Sequence, residues 1–186
     1  MESNKKQIFG IGDPKANFKV YMGNYPLFIF TNSDDFGLNA PTVLEQWEIY
    51  ECGKACGNGW RKVFNVYAKL IYALSSPLFI DKKDYKSWQD YRDNKLLQKG
   101  SNTALIFSQP KSFSKSNINI IMGKTYSKSV LSEDSLTECS QLHWLTDEFA
   151  VDEQQGLIIC PYFDYRQLSN AKILHLIDII HRYFTK

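Results

Sequence analysis

The chain has 186 residues, with 22 Lys and Arg against 20 Asp and Glu, a formal net charge of +2 and a pI near 8.2. At 44% hydrophobic and 15% aromatic it excludes an intrinsically disordered class, and its near-balanced charge excludes the dense basic footprint of a protein that works through phosphate contacts alone. No apolar run approaches the roughly 18 residues of a membrane helix, and the polar start Met1-Glu-Ser-Asn-Lys-Lys6 lacks the apolar core of a secretion signal. The expectation is a single cytoplasmic domain over 1–186, with no membrane association.

Residues 1–16, with Gly10, Gly12 and Pro14, read as a loose lead-in. Over 18–22, Phe18, Val20 and Met22 alternate onto one face of a first strand, which ends in the turn Gly23-Asn24-Tyr25-Pro26. Residues 31–42 read as a loop and 43–50 as a short helix. The clearest helix is 60–74, where Trp60, Val63, Phe64, Tyr67, Leu70 and Leu74 share one stripe, with Asn58 as its N-cap. A helix over 84–98 ends before Gly100. Strands follow over 103–107 and 118–122, then a helix over 124–130 and another over 141–149, where Leu142, Leu145 and Phe149 fall at helical spacing. Residues 157–160 form the fourth strand. Ser169 or Asn170 caps the last helix, whose stripe runs from Ile173 to Phe184.

Short apolar strands alternating with helices imply an α/β protein. The expected architecture is a three-layer sandwich with a short, mostly parallel four-stranded sheet between helices. In such sheets ligands bind outside the carboxyl ends of the strands. The segment after the fourth strand is the richest of these places. It carries Tyr162, Asp164, Tyr165, Arg166, Ser169 and Asn170, groups able to stack on a base, move a proton and hold a phosphate.

Other motifs carry less. Gly123-Lys124-Thr125 opens a helix after a strand, but Ile118 stands where a phosphate loop needs its first glycine. A helix N-terminus with Lys124 can still receive an anion. The entry Gly57-Asn58-Gly59-Trp60-Arg61 offers Asn58 as a hydrogen-bonding group and Arg61 as an anion contact. Cys52, Cys56, Cys139 and Cys160 lack zinc-site spacing and read as reduced thiols. His143, His175 and His181 have no triad or metal partner at motif spacing. No cofactor and no metal is expected.

In order along the chain, these pieces resemble the uracil/mismatch-DNA glycosylase superfamily. The matching elements are the Gly23-x-x-Pro26 turn, the helix entry Gly57-Asn-Gly-Trp60, Leu96-Leu-Gln-Lys-Gly100 before a strand, and Ile120-Ile-Met-Gly-Lys124 at the end of one. Cys160-Pro161-Tyr162 takes the place of the family's His-Pro-Ser. Tyr25 stands where active members have Asp or Asn, with Asn24 one residue early. The whole chain also resembles a bacterial protein family of unknown function.

The resemblance implies nucleobase or nucleic-acid binding, with DNA or a nucleobase as partner, and N-glycosidic hydrolysis of an extruded base. Asp164 would be the general base and Asn24 its catalytic companion. Tyr162 would be a stacking platform, with Asn24 and Asn102 as base-edge contacts. Arg61, Lys124 and Arg166 would meet phosphate, and Tyr25, Asn58 and Asn170 complete the binding set. The rival expectation is a non-catalytic module of the same fold that binds a protein partner.

Overall fold

A computed structural model describes residues 8–32, 40–75, 81–132 and 141–184. Cys139 and much of the loop expected over 31–42 lie outside them. The strands expected from apolar patterning form as β2 (Phe18–Tyr21), β3 (Thr103–Ile106), β4 (Ile118–Met122) and β7 (Leu157–Cys160). They run parallel, with β2 between β3 and β4, and β7 beyond β4.

The class is α/β as expected, but the sheet is wider than four strands. β1 (Gly10–Gly12) adds to β3 antiparallel, β6 (Ala150–Asp152) adds to β7 antiparallel, and β5 (His143–Trp144) closes that edge. Among the described residues the sheet has seven strands in the order β1-β3-β2-β4-β7-β6-β5.

Both extensions overturn local readings. β1 lies inside the expected lead-in. Its glycines mark close backbone approach: Gly12 has φ 126°, and a Cβ there would stand 2.5 Å from the Thr103 carbonyl oxygen. The helix expected over 141–149 is a β5–β6 hairpin instead. Leu145 and Phe149 pack in one apolar cluster while Leu142 joins the other, so their spacing does not mark one helical face. Thr146 Oγ1 accepts from the Glu148 and Phe149 N–H groups at 3.2 and 3.1 Å, holding the turn.

The helices are α1 (Glu48–Ala55), α2 (Asn58–Leu74), α3 (Trp88–Asn94), α4 (Lys124–Leu131) and α5 (Asn170–Phe184). α1 starts later than expected because Trp47 sits in the left-handed region at φ 71°. Asn58 is the first residue of α2 rather than its cap, a place held by Gly57. α3 is shorter at both ends: Ser87 caps it, accepting from the Asp90 N–H at 3.2 Å, and the chain leaves it at Asn94. Ser169 Oγ accepts from the Lys172 N–H at 3.4 Å, so Asn170 opens α5.

The two faces of the sheet are covered differently. Phe18, Val20, Leu105, Ile120 and Ile158 point into the larger cluster, beneath α1, α2, α3 and α5. Tyr67 in α2 pins that layer by donating to the Phe18 and Ala104 carbonyls at 3.3 and 3.0 Å. Tyr21, Ala104, Ile121 and Ile159 face the other way, where α4 contributes Val130 and Leu131. β3 and β4 flank β2, so residues 107–117 must cross β2 to join them. They do so on this second face as an irregular strap, and the Phe113 ring packs edge-on against Tyr21 at 5.8 Å. Gly156 lets the strap come close: at φ 59°, a Cβ there would overlap the Asn117 carbonyl oxygen and stand 2.9 Å from that of Ser114. Among the described residues no helix is long and apolar enough to cross a membrane.

Candidate functional site

Parallel pairing aligns the carboxyl ends of β3, β2, β4 and β7, so the segments that follow them share one edge. After β3 and β2 the edge is aromatic. The Tyr25 ring is 51% exposed and packs edge-on against Phe9 at 5.0 Å, with Phe107 at 6.4 Å. Trp60 meets Phe107 at 6.0 Å and 90°. After β4 and β7, the Tyr126 ring covers Gly23 and the Tyr162 ring covers Gly123.

The first turns of α2 join the two halves. Trp60 reaches the aromatic group, while Lys62, two residues on, donates to Asp164 Oδ2 at 2.9 Å and lies 4.8 Å from the Tyr165 ring centroid. Asp164 Oδ1 also accepts the Arg166 N–H at 2.9 Å. That backbone hydrogen bond, with Lys62 close by, holds the Asp164 carboxyl below its ordinary value. The group is a stable anion and a weak proton acceptor. Burial, reinforced by the Asp164 charge, pushes the Tyr162 phenol upward, so Tyr162 stays a neutral donor at neutral pH.

Tyr25, Tyr162, Asp164 and Arg166 therefore gather at one edge, together with the start of α2. Asn24 is exposed there, and its side chain has no partner among the described residues. Asn58 and Arg61 bond to each other, Arg61 donating to Asn58 Oδ1. Lys124, at the start of α4, donates to the Asp147 carbonyl at 3.4 Å.

Two expected residues stand elsewhere. Asn102 precedes β3, so it lies at the amino end of the sheet. There its Oδ1 accepts the Asn17 N–H at 2.6 Å and its N–H donates to Asp13 Oδ2 at 3.0 Å. It is a structural clasp and does not face Asn24. Asn170 accepts from Lys69 at 3.4 Å, two turns along α2 from Lys62. Lys62 itself, the ion-pair partner of Asp164, was not singled out by sequence; its signal is only its place in the turn after Trp60. Among the described residues no cluster of His, Cys, Asp and Glu is placed to hold a metal.

A family model described as a family of unknown function (DUF6942) matches residues 9–181. No curated protein and no solved structure matches the chain.

Proposed function

The chain belongs to DUF6942, a family of unknown function, and we propose from its own carboxyl edge that it binds nucleobases of single-stranded or locally unpaired nucleic acid. The observation that carries this reading is the half-exposed Tyr25 ring, supported edge-on by Phe9 and at a tilt by Phe107, on the same edge as Tyr162 and the cations Lys62 and Arg166. Exposed rings supply stacking platforms that accept any base, and flanking cations track the backbone. Asn24 adds a solvent-facing amide for a base edge.

N-glycosidic hydrolysis, which the glycosylase resemblance implies, belongs to this proposal. In that chemistry Asp164, held ionised, would act by stabilising positive charge on the sugar rather than by taking a proton. Asn24 would hold the water.

The test is anisotropy of fluorescent single-stranded DNA and of uracil- or mismatch-bearing duplexes across a salt series. Saturable binding that weakens steeply with salt is expected. Tyr25→Ala should weaken it about tenfold, the scale of one lost base stack. Absence of binding at ~50 mM salt, where phosphate contacts are strongest, would overturn the reading. Abasic-site formation on the same duplexes tests the hydrolytic part separately.

One observation favours a second reading, a protein-binding module. Leu27 and Ile29 are each 86% exposed, just beyond Tyr25. Loss of a co-purifying protein on Leu27→Ser and Ile29→Ser, with DNA binding absent throughout, would select it.

A further inference from the structure

The strap over 107–117 does more than connect two strands. Between it and the sheet lies a cavity of about 300 Å³. Its floor is the second face of β2, β3 and β4, represented by Lys19, Tyr21, Ile106 and Asn119. Phe113 and Pro110 of the strap contribute to its roof. The cavity lies on a face of the sheet, away from the carboxyl-edge cluster, and shares none of that cluster's residues.

Three features of this cavity point the same way. The first is Lys19, at the centre of the sheet beside Ala104 on one strand and Asn119 on the other. It is partly buried, and among the described residues its ammonium has neither an ion-pair nor a hydrogen-bond partner. Desolvation there lowers its pKa, the mark of a charge without a counter-ion. The second is the charge of the lining: among the described residues, Lys19 and Lys111 are present and no Asp or Glu is. The third is shape. Tyr21 and Phe113 set two rings edge to face, and Ile8 and Ile106 continue the apolar wall. Polar groups share the lining about equally with these apolar ones, Ser108, Ser112, Asn117 and Asn119 among them, which suits a ligand that carries a polar group on an apolar body.

We propose that this cavity binds a small organic anion with a flat apolar body, its oxyanion paired with the Lys19 ammonium and its body held between the strap and the sheet face. Tyr21 and Asn119 fix the floor, because the Tyr21 hydroxyl lies 3.5 Å from Asn119 Oδ1 as its donor. Asn119 in turn ties the strap down, donating to the Ser114 carbonyl at 3.4 Å. A ligand here would supply the counter-ion that the described residues leave out.

Benzoate is the probe, with benzyl alcohol as its uncharged counterpart and inorganic phosphate as an anion without the apolar body. Binding is read by amide and side-chain chemical-shift changes in the intact protein. Saturable shifts at Lys19, Tyr21, Phe113 and Asn119 with benzoate are expected. Benzyl alcohol and phosphate should bind about tenfold more weakly or not at all, reflecting loss of a charge-assisted contact or of the apolar contacts. Lys19→Met, whose fold is checked by its own spectrum, should lose benzoate binding by a similar factor, and Phe113→Ala should weaken it without removing the charge. Equal benzoate affinity in Lys19→Met would overturn the proposal. So would saturation by phosphate with none by benzoate, or shifts confined to residues outside the cavity.

Discussion

The two faces of the sheet meet the same demand, burial of a central strand, by different means. Towards α1, α2, α3 and α5 the β2 residues are Phe18 and Val20, both fully buried. Towards the strap they are Lys19 and Tyr21. A helix presents a continuous apolar stripe and closes the space beneath it, whereas an irregular strap carries backbone polar groups that need partners and leaves room for them. Polar side chains and a cavity follow on one face, dense apolar packing on the other. A cavity cut into the helical face should therefore be far more damaging than a change on the strap face. Ile120→Ala removes a fully buried side chain below the helices and should lower stability by about 2–5 kcal/mol in urea denaturation. A loss below ~1 kcal/mol would mean that this face is no better packed than the other.

The strap's own hold on the sheet is the next test. Gly156→Ala places a methyl group against the Asn117 and Ser114 carbonyls at a positive φ. It should cost about 2 kcal/mol and shift the resonances of Phe113 and Asn119. If stability falls but those resonances stay, the strap is not anchored at Gly156.

The same contrast explains what the sequence could and could not reveal. The four parallel strands and the long helices α2 and α5 were legible because their apolar periodicity is strong and local. β1 was not, because two glycines of its three residues read as a loop, and what makes it a strand is close approach to β3. The β5–β6 hairpin was misread because Leu142, Leu145 and Phe149 have helical spacing, yet they serve both faces of one sheet. At the site, Tyr25 and Tyr162 were legible as residues that follow strands. Asn102 was misplaced for a reason present in its position: a residue before a parallel strand lies at the opposite edge from one after it. Lys19 left a signal too, as a lysine on the alternate face of a strand expected to be covered on both sides. What could not be read was that a strap, not a helix, would cover it.

Lys19→Met tests the energetic side of that signal. Removing an unpaired, partly desolvated charge should raise stability at pH 7 by up to about 1 kcal/mol, which for a chain of this size is a melting-point gain of roughly 2–4 °C. The sign of its pH dependence follows from the lowered pKa. Between that lowered value and the ordinary 10.5, the unfolded chain holds a proton that the folded one has shed. Wild-type stability therefore gains with rising pH in that window. Among the described residues, Tyr21, pushed up by burial, and Lys111 are the other titratable groups lining the cavity. The advantage of Lys19→Met should be full at pH 7 and shrink towards pH 10.5. An advantage that does not change with pH would come from packing and not from the charge.

Lys62 is the counterpart of Lys19, a cation that has its anion. Its pairing with Asp164 at 2.9 Å is partly exposed, with about a fifth of each side chain accessible (20% and 22%). Water and salt screen such a pair, so Asp164→Asn should cost only about 0.5–1 kcal/mol. The Asp164 carboxyl is held below its ordinary 3.8, so its contribution is complete above that value and is lost as pH falls through the lowered folded-state pKa. Wild type and Asp164→Asn should thus differ at pH 7 and converge in acid, with the gap narrowing at high salt. Because the Arg166 N–H is the largest cause of the shift, an amide oxygen at the same place can keep that hydrogen bond while losing the charge. Asp164→Ala, which loses both, should therefore cost more than Asp164→Asn. Equal costs for the two would assign the whole effect to the Lys62 charge pair, and the turn after β7 would then owe nothing to its own backbone hydrogen bond.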